Sequence, residues 1–199
     1  MNTVRIATLT VLLTFACAAS AQDNAAPPQS KQQKEMMAAF ERMSAVRPEH
    51  KQLEYFVGDW NAKTTLWMDP KAPPQSSEGK SHSEAVFGGR YIETKHEGTM
   101  MGQPFNGRGV FGFDNVGGRY FNTWMDSMST GFWLAYGSYD AATKTYTFRG
   151  AMDDPMKPKT KVGVREVAHI VDPTHYTFEW YETHKGKEAK TMQIEYTKL

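Results

Sequence analysis

From Trp60 to the C-terminus the chain is cut into roughly ten short segments of alternating polar and apolar residues. No stretch between them is long enough for a substantial helix. Residues 90–96, 119–126, 144–149, 164–171, 176–182 and 192–197 alternate most clearly and are rich in β-branched and aromatic residues. Turn chemistry separates them: Gly88-Gly89, Asp114-Asn115-Val116-Gly117-Gly118, Asp172-Pro173 and Lys185-Gly186-Lys187. Two hairpins echo each other, Phe113-Asp114 to Arg119-Tyr120 and Tyr139-Asp140 to Thr145-Tyr146. Successive strands with short loops predict an all-β antiparallel meander of about ten strands, which loses its exposed edges by closing into a barrel. A twisted half-barrel or a sandwich is the other arrangement the pattern allows.

The N-terminal residues read differently. Arg5, the apolar residues 6–15 and Ala19-Ser20-Ala21 have the order of a secretory signal peptide, which predicts cleavage before Gln22. That apolar stretch is too short to read as a membrane anchor. Cys17 offers a lesser alternative, a lipoprotein N-terminus, although Phe15 fits that pattern poorly. The single cysteine lies in this leader, so the mature chain has no disulfide, thiol nucleophile or cysteine-bound metal. Of 23 Lys and Arg against 22 Asp and Glu, Arg5 is removed with the leader. The resulting balance gives no long-range pull toward nucleic acid or anionic lipid.

Residues 22–47 read as a spacer followed by an amphipathic helix, and residues 48–199 as the barrel domain. Ser30 and Gln33 form a capping-box pair, with Met36, Ala39, Phe40 and Met43 at helical spacing. This stripe is expected to lie across the barrel, and Pro48 to end the helix. A short turn over 49–55 then leads to Gly58 and Trp60.

Several apparent motifs carry no chemistry. Gly107-Arg108-Gly109-Val110-Phe111-Gly112 matches the dinucleotide pattern, but it runs into a hairpin instead of opening a helix. Glycines at a barrel bend, or beneath a large aromatic, explain it better. No histidine pair has zinc spacing. A haem-binding barrel would need an axial histidine on a late strand, His169 or His175, with nothing else in support. The methionines suit an adaptable core better than copper, and Asp153-Asp154 lacks the alternation of a calcium loop. Ser127 and Ser129 have no sequence-level base. No catalytic residue, metal site or cofactor is therefore expected.

The interior is the candidate site. Tyr120, Asn122, Trp124 and Asp126 share a strand face, as do Phe132, Leu134 and Tyr136, then Tyr176, Phe178 and Trp180, then Met192, Ile194 and Tyr196. Pointing inward, such faces either fill a barrel or line a cavity. Arg165 shares its face with Val167, His169 and Val171; inward, it would need Asp126, Glu93 or an anionic ligand. The expected ligand site is then Trp124, Asp126, Tyr136, Arg165 and Phe178, with Ser127 and Ser129 at the rim.

The wording of the chain also resembles known proteins. Gly58-Asp59-Trp60 before a β meander is similar to the Gly-x-Trp of lipocalin and calycin barrels, where the tryptophan plugs the closed end. Gly88-Gly89-Arg90-Tyr91, Gly102-Gln103-Pro104-Phe105, Asp126-Ser127-Met128-Ser129-Thr130-Gly131 and Asp153-Asp154-Pro155-Met156 resemble a bacterial family of secreted, lipocalin-like domains of unknown function, across residues 48–199. The resemblance implies a calycin-type barrel, with Gly58 and Trp60 structural, and lends no activity.

Two functions are compatible with these readings. One is a carrier or sensor of a small apolar or weakly acidic molecule. The other is a structural or interaction barrel of the periplasm or cell surface with a solid core. Intact-mass analysis of exported protein will show a chain beginning at Gln22; a lipid-modified Cys17 at the N-terminus would overturn that expectation and place the protein on a membrane.

Overall fold

A computed structural model describes residues 30–69 and 71–199. The expected leader (1–21), with Cys17, and the spacer residues 22–29 lie outside the described residues. Helix α1 (Lys31–Ser44) is followed by α2 (Pro48–Leu53) and a single 3-10 turn (Glu54–Phe56). Ten strands follow: β1 (Gly58–Leu66), β2 (Gln75–Val86), β3 (Tyr91–Met100), β4 (Gln103–Asp114), β5 (Arg119–Asp126), β6 (Trp133–Asp140), β7 (Thr145–Asp153), β8 (Lys161–Asp172), β9 (His175–His184) and β10 (Lys187–Lys198). Each strand pairs antiparallel with its sequence neighbours, and β1 pairs with β10. The meander therefore closes, as the alternation predicts.

Closure is set by the Trp60↔Lys198 to Leu66↔Met192 register. Primed two-residue turns at Met101-Gly102 and Lys185-Gly186, with positive φ throughout, join β3 to β4 and β9 to β10. Aspartate turns end the strands. Asp114, Asp126, Asp140, Asp154 and Asp172 each accept the backbone N–H two residues on, at 2.7–2.9 Å. The echoing hairpins share this device, and their aromatics face each other as Phe113↔Tyr120 and Tyr139↔Tyr146.

One end of the barrel is solid. Trp60 is completely buried, and its indole N–H donates to the Phe56 carbonyl at 2.9 Å. Gly58, at φ +124°, makes the turn that brings Trp60 under the 3-10 segment. Around it Phe56, Tyr176 and Tyr196 pack edge-on or stacked, with Phe111, Tyr120, Tyr146 and Phe148 beyond.

The helical region differs from expectation in two ways. Pro48 does not end α1 but begins α2, because its missing N–H costs nothing at a first helical position. The element capping the barrel is α2, through buried His50 and Leu53, and not α1. His50 Nδ1 accepts the Arg47 N–H at 3.0 Å, and its ring meets Phe113 edge-on. Helix α1 has the predicted Ser30–Gln33 capping box but no buried residue; Met36, Phe40 and Met43 stay half-exposed. It is held by its C-terminal carbonyls, which accept from Asn115 and Arg90 at 2.8–3.2 Å.

Trp60→Ala will cost about 3–5 kcal/mol, the usual penalty for truncating a large buried aromatic. Urea melts check it, and a loss below about 1 kcal/mol would mean that the plug carries little of the fold.

Candidate functional site

The other half of the barrel is hollow. A cavity of about 420 Å³ opens at the end opposite the α2 cap. Its walls are aromatic and aliphatic: Phe105, Phe111, Trp124, Phe178, Trp180 and Ile194, with Tyr176 and Tyr196 toward the solid end. Methionines from five elements or their loops, Met68, Met100, Met128, Met152 and Met192, complete the lining. An unbranched, polarisable side chain can adapt to irregular ligand shapes.

Trp124 reaches the wall because β4 makes room for it. A Cβ on Gly107 would collide with its ring, and one on Gly109 would lie 2.9 Å from Cε3. Two glycines of the dinucleotide-like string are thus the bed of an indole, and the third, Gly112, lies beneath Phe121 and Tyr91, so all three sit under large aromatics. Trp124 stacks on Phe105 at 6.4 Å, and its Nε1 donates to Asp126 Oδ2 at 3.1 Å. The same pairing recurs on β9, where Trp180 Nε1 donates to Glu182 Oε1 at 3.2 Å. Residues two apart on a strand share a face, so each indole holds a carboxylate beside the cavity. A bulge between Lys190 and Met192 turns Thr191 into the cavity, where its hydroxyl donates to Glu182 Oε1 at 3.2 Å.

The third acid is Glu166, at 1% exposure the most deeply buried charge-bearing group described. Trp133 Nε1 donates to its Oε1 at 2.7 Å, and Asn122 Nδ2 to both oxygens at 3.0 and 2.9 Å. Burial pushes the carboxyl up to about 7, although those hydrogen bonds pull the other way. His96 also lines the cavity; burial holds its imidazole below the usual value and so favours the neutral ring. Among the described residues no lysine or arginine lines the cavity.

The structure places the predicted residues in two groups. Trp124, Asp126, Ser129 and Phe178 line the cavity. Ser127, Tyr136 and Arg165 do not. Ser127 extends the β4–β5 ladder, its Oγ accepting from Asn106 N at 3.1 Å and its own N–H donating to Asn106 O at 2.8 Å. Tyr136 is on the outer face beneath the Arg119 guanidinium, 3.6 Å from the ring centroid. With it, Phe132 and Leu134 point outward, because Trp133, Ala135 and Tyr139 take the inner positions of β6. Arg165 is also outside, bonded through Nε and Nη2 to Glu188 at 2.9 and 2.6 Å and stacked on Tyr181. Glu93 faces outward near Arg108. The residue on which an acidic ligand depended is therefore not in the site. Glu166, its neighbour in sequence, is there instead.

The histidines named for haem, His169 and His175, are both exposed, and His175 Nδ1 lies 2.9 Å from Asp172. Among the described residues no three His, Cys, Asp or Glu side chains are grouped to hold a metal. Asp154 spends its Oδ1 on the Met156 and Lys157 amides, and Asp153 pairs with Lys161 at 2.9 Å. No described helix is long and apolar enough to cross a membrane.

These features define a closed, ten-stranded up-and-down barrel with one plugged and one open end. The chain belongs to the family described as "Protein of unknown function (DUF1579)", whose model matches residues 45–198. This agrees with the resemblance to a barrel domain of unknown function. No curated protein matches the sequence. Among solved structures it is similar to Rv2717c from M. tuberculosis, at 11% identity and a TM-score of 0.56, covering 78% of this chain and 99% of that one. It is also similar to a redesigned β-barrel, at 15% identity and a TM-score of 0.38, with coverages of 78% and 99%. The first likeness supports the fold alone.

Glu166 makes stability depend on pH with a definite sign. Its folded pKa lies above the usual 4.5, so its contribution is fully present below about pH 4.5 and is lost as pH rises through about 7. His50 and His96, held low by burial, act oppositely, losing stability as pH falls below 6.5. Comparing Glu166→Gln with the parent cancels the histidines. Between pH 5 and 8 the variant will gain about 2–3 kcal/mol relative to the parent in urea melts. A flat difference would mean that the carboxyl is not perturbed.

Proposed function

We propose that the protein binds a small, largely apolar molecule in the open half of the barrel. The observation that carries this is the cavity itself. Its volume, about 420 Å³, falls within the roughly 300–1,000 Å³ of small-molecule sites. A barrel serving only as a scaffold gains stability from filling its centre, as this chain does around Trp60 and Phe56. The open half instead keeps aromatic and thioether surface facing an unfilled space. Among the described residues no three His, Cys, Asp or Glu side chains are grouped to hold a metal there, and the reading is one of binding. With the leader read over residues 1–21, we infer that binding takes place outside the cytoplasm, in the periplasm or beyond.

The neutral fluorophore N-phenyl-1-naphthylamine tests the reading. It will bind saturably, with a rise in its emission and quenching of tryptophan emission as Trp124 and Trp180 transfer energy to it. Ile194→Trp, which places an indole in the cavity, will abolish saturation while keeping a cooperative melt. Absence of saturable binding to the parent, or undiminished binding to Ile194→Trp, would overturn the cavity as the site.

A further inference from the structure

The cavity has a charge character that its apolar walls conceal. Three carboxyl groups, Asp126, Glu166 and Glu182, line it, and among the described residues no lysine or arginine does. Among the described residues the one histidine in the lining, His96, is buried, with Phe105 edge-on to its ring. The nearest compensation is outside: His184 Nε2 lies 2.8 Å from Glu182 Oε2 on an exposed side chain. Each acid is fixed by indole donation, from Trp124, Trp133 and Trp180 respectively. The acceptors are thus preorganised before any ligand arrives.

The acids also keep acceptor capacity. A carboxylate has about four lone-pair positions. Glu166 Oε2 receives one donor, from Asn122, and Asp126 Oδ1 and Oδ2 receive one each. The indoles of Trp124 and Trp180, which hold Asp126 and Glu182, also line the cavity, and indole is the ring that attracts organic cations best. An anionic head placed here would meet the Asp126 and Glu182 carboxylates, and above about pH 7 that of Glu166 as well, with no lining lysine or arginine among the described residues to offset them. A positive head meets carboxylates and π-faces at once.

Resting on the cavity reading above, we propose that the ligand is a cationic amphiphile, an amine or quaternary ammonium with an apolar body, and that Asp126, Glu166 and Glu182 select it over neutral and acidic molecules of the same shape. The apolar body lies on Phe105, Phe111, Phe178 and Ile194, and the methionines at the mouth adapt to its length. The weakly acidic ligand expected from Arg165 is excluded by the same lining, because that arginine is committed to Glu188 on the outer wall.

Three probes sharing a ten-carbon chain separate the possibilities: decyltrimethylammonium, decanol and decanoate. They are titrated calorimetrically into the full chain at pH 8 and about 0.15 M salt, below their micelle-forming concentrations. Decyltrimethylammonium will bind at least tenfold more tightly than decanol, and decanoate more weakly than either. Asp126→Asn and Glu182→Gln, each checked for a cooperative melt, will shrink the ammonium advantage severalfold while leaving decanol binding within about twofold. Glu166→Gln will do the same and gives a second reading should either of the others fail to fold. Decanol binding with no ammonium advantage, or an advantage that survives all three substitutions, would overturn the charge selection and leave the cavity reading standing. If no probe binds saturably, and N-phenyl-1-naphthylamine does not either, both proposals fall.

Discussion

The hydrogen bond from the Trp60 indole to the Phe56 carbonyl joins the chain's helical preface to its first strand. Everything else in the barrel is arranged around that joint. It lets Leu53 and Phe56 descend onto the aromatic layer of Tyr146, Tyr176 and Phe148, so one end becomes a dense plug without any disulfide. Aromatic pairs at 4.2–6.4 Å supply much of the apolar area there. Because the plug stabilises the barrel from one end, the other end can remain unfilled. Hollow space costs cohesion, and a small domain tolerates it only when its remaining core is well packed.

Much of this was legible in the sequence. Strand number, turn positions and the inward faces of β5, β9 and β10 follow from alternation and turn residues, while the plug role of Trp60 comes from the resemblance of Gly58-Asp59-Trp60 to the Gly-x-Trp of calycin barrels. Two strands were misread, for different reasons. On β8 the even positions hold Val162, Val164, Ala168 and Ile170 around Glu166, against only Val167 and Val171 on the odd side. Counting both faces in full would have turned Glu166 inward and Arg165 out. On β6 no count suffices, since Phe132, Leu134 and Tyr136 compete with Trp133, Ala135 and Tyr139. The decision is made across the hairpin, where Tyr139 must lie opposite the buried Tyr146. That register is a property of two strands and their turn, so neither strand shows it alone.

The methionine stripe of α1 failed for a third reason. Its spacing is helical and its cap is sound, yet the barrel end is already covered by α2, whose residues bind closer to the strands. A helix pattern states which residues share a face, but not whether a partner surface is left for that face. Here Asn115 and Arg90 hold the helix by its carbonyls, and the stripe stays half in solvent.

The repeated association of tryptophan with an acid is harder to explain as architecture. On β5 and β9 it follows from the i, i+2 geometry of a strand, and an aspartate turn already accounts for half of Asp126. Glu166 has no such local cause. It comes from a different strand than Asn122 or Trp133, and its burial raises its pKa against three donated hydrogen bonds. Apolar replacements for buried charged groups are often neutral or stabilising, so packing alone would favour a leucine or methionine at that place. Glu166 instead faces the hollow half and not the plugged half, so its burial cost is carried where the core is least filled, and the Asn122 and Trp133 donors are what hold the carboxyl in place.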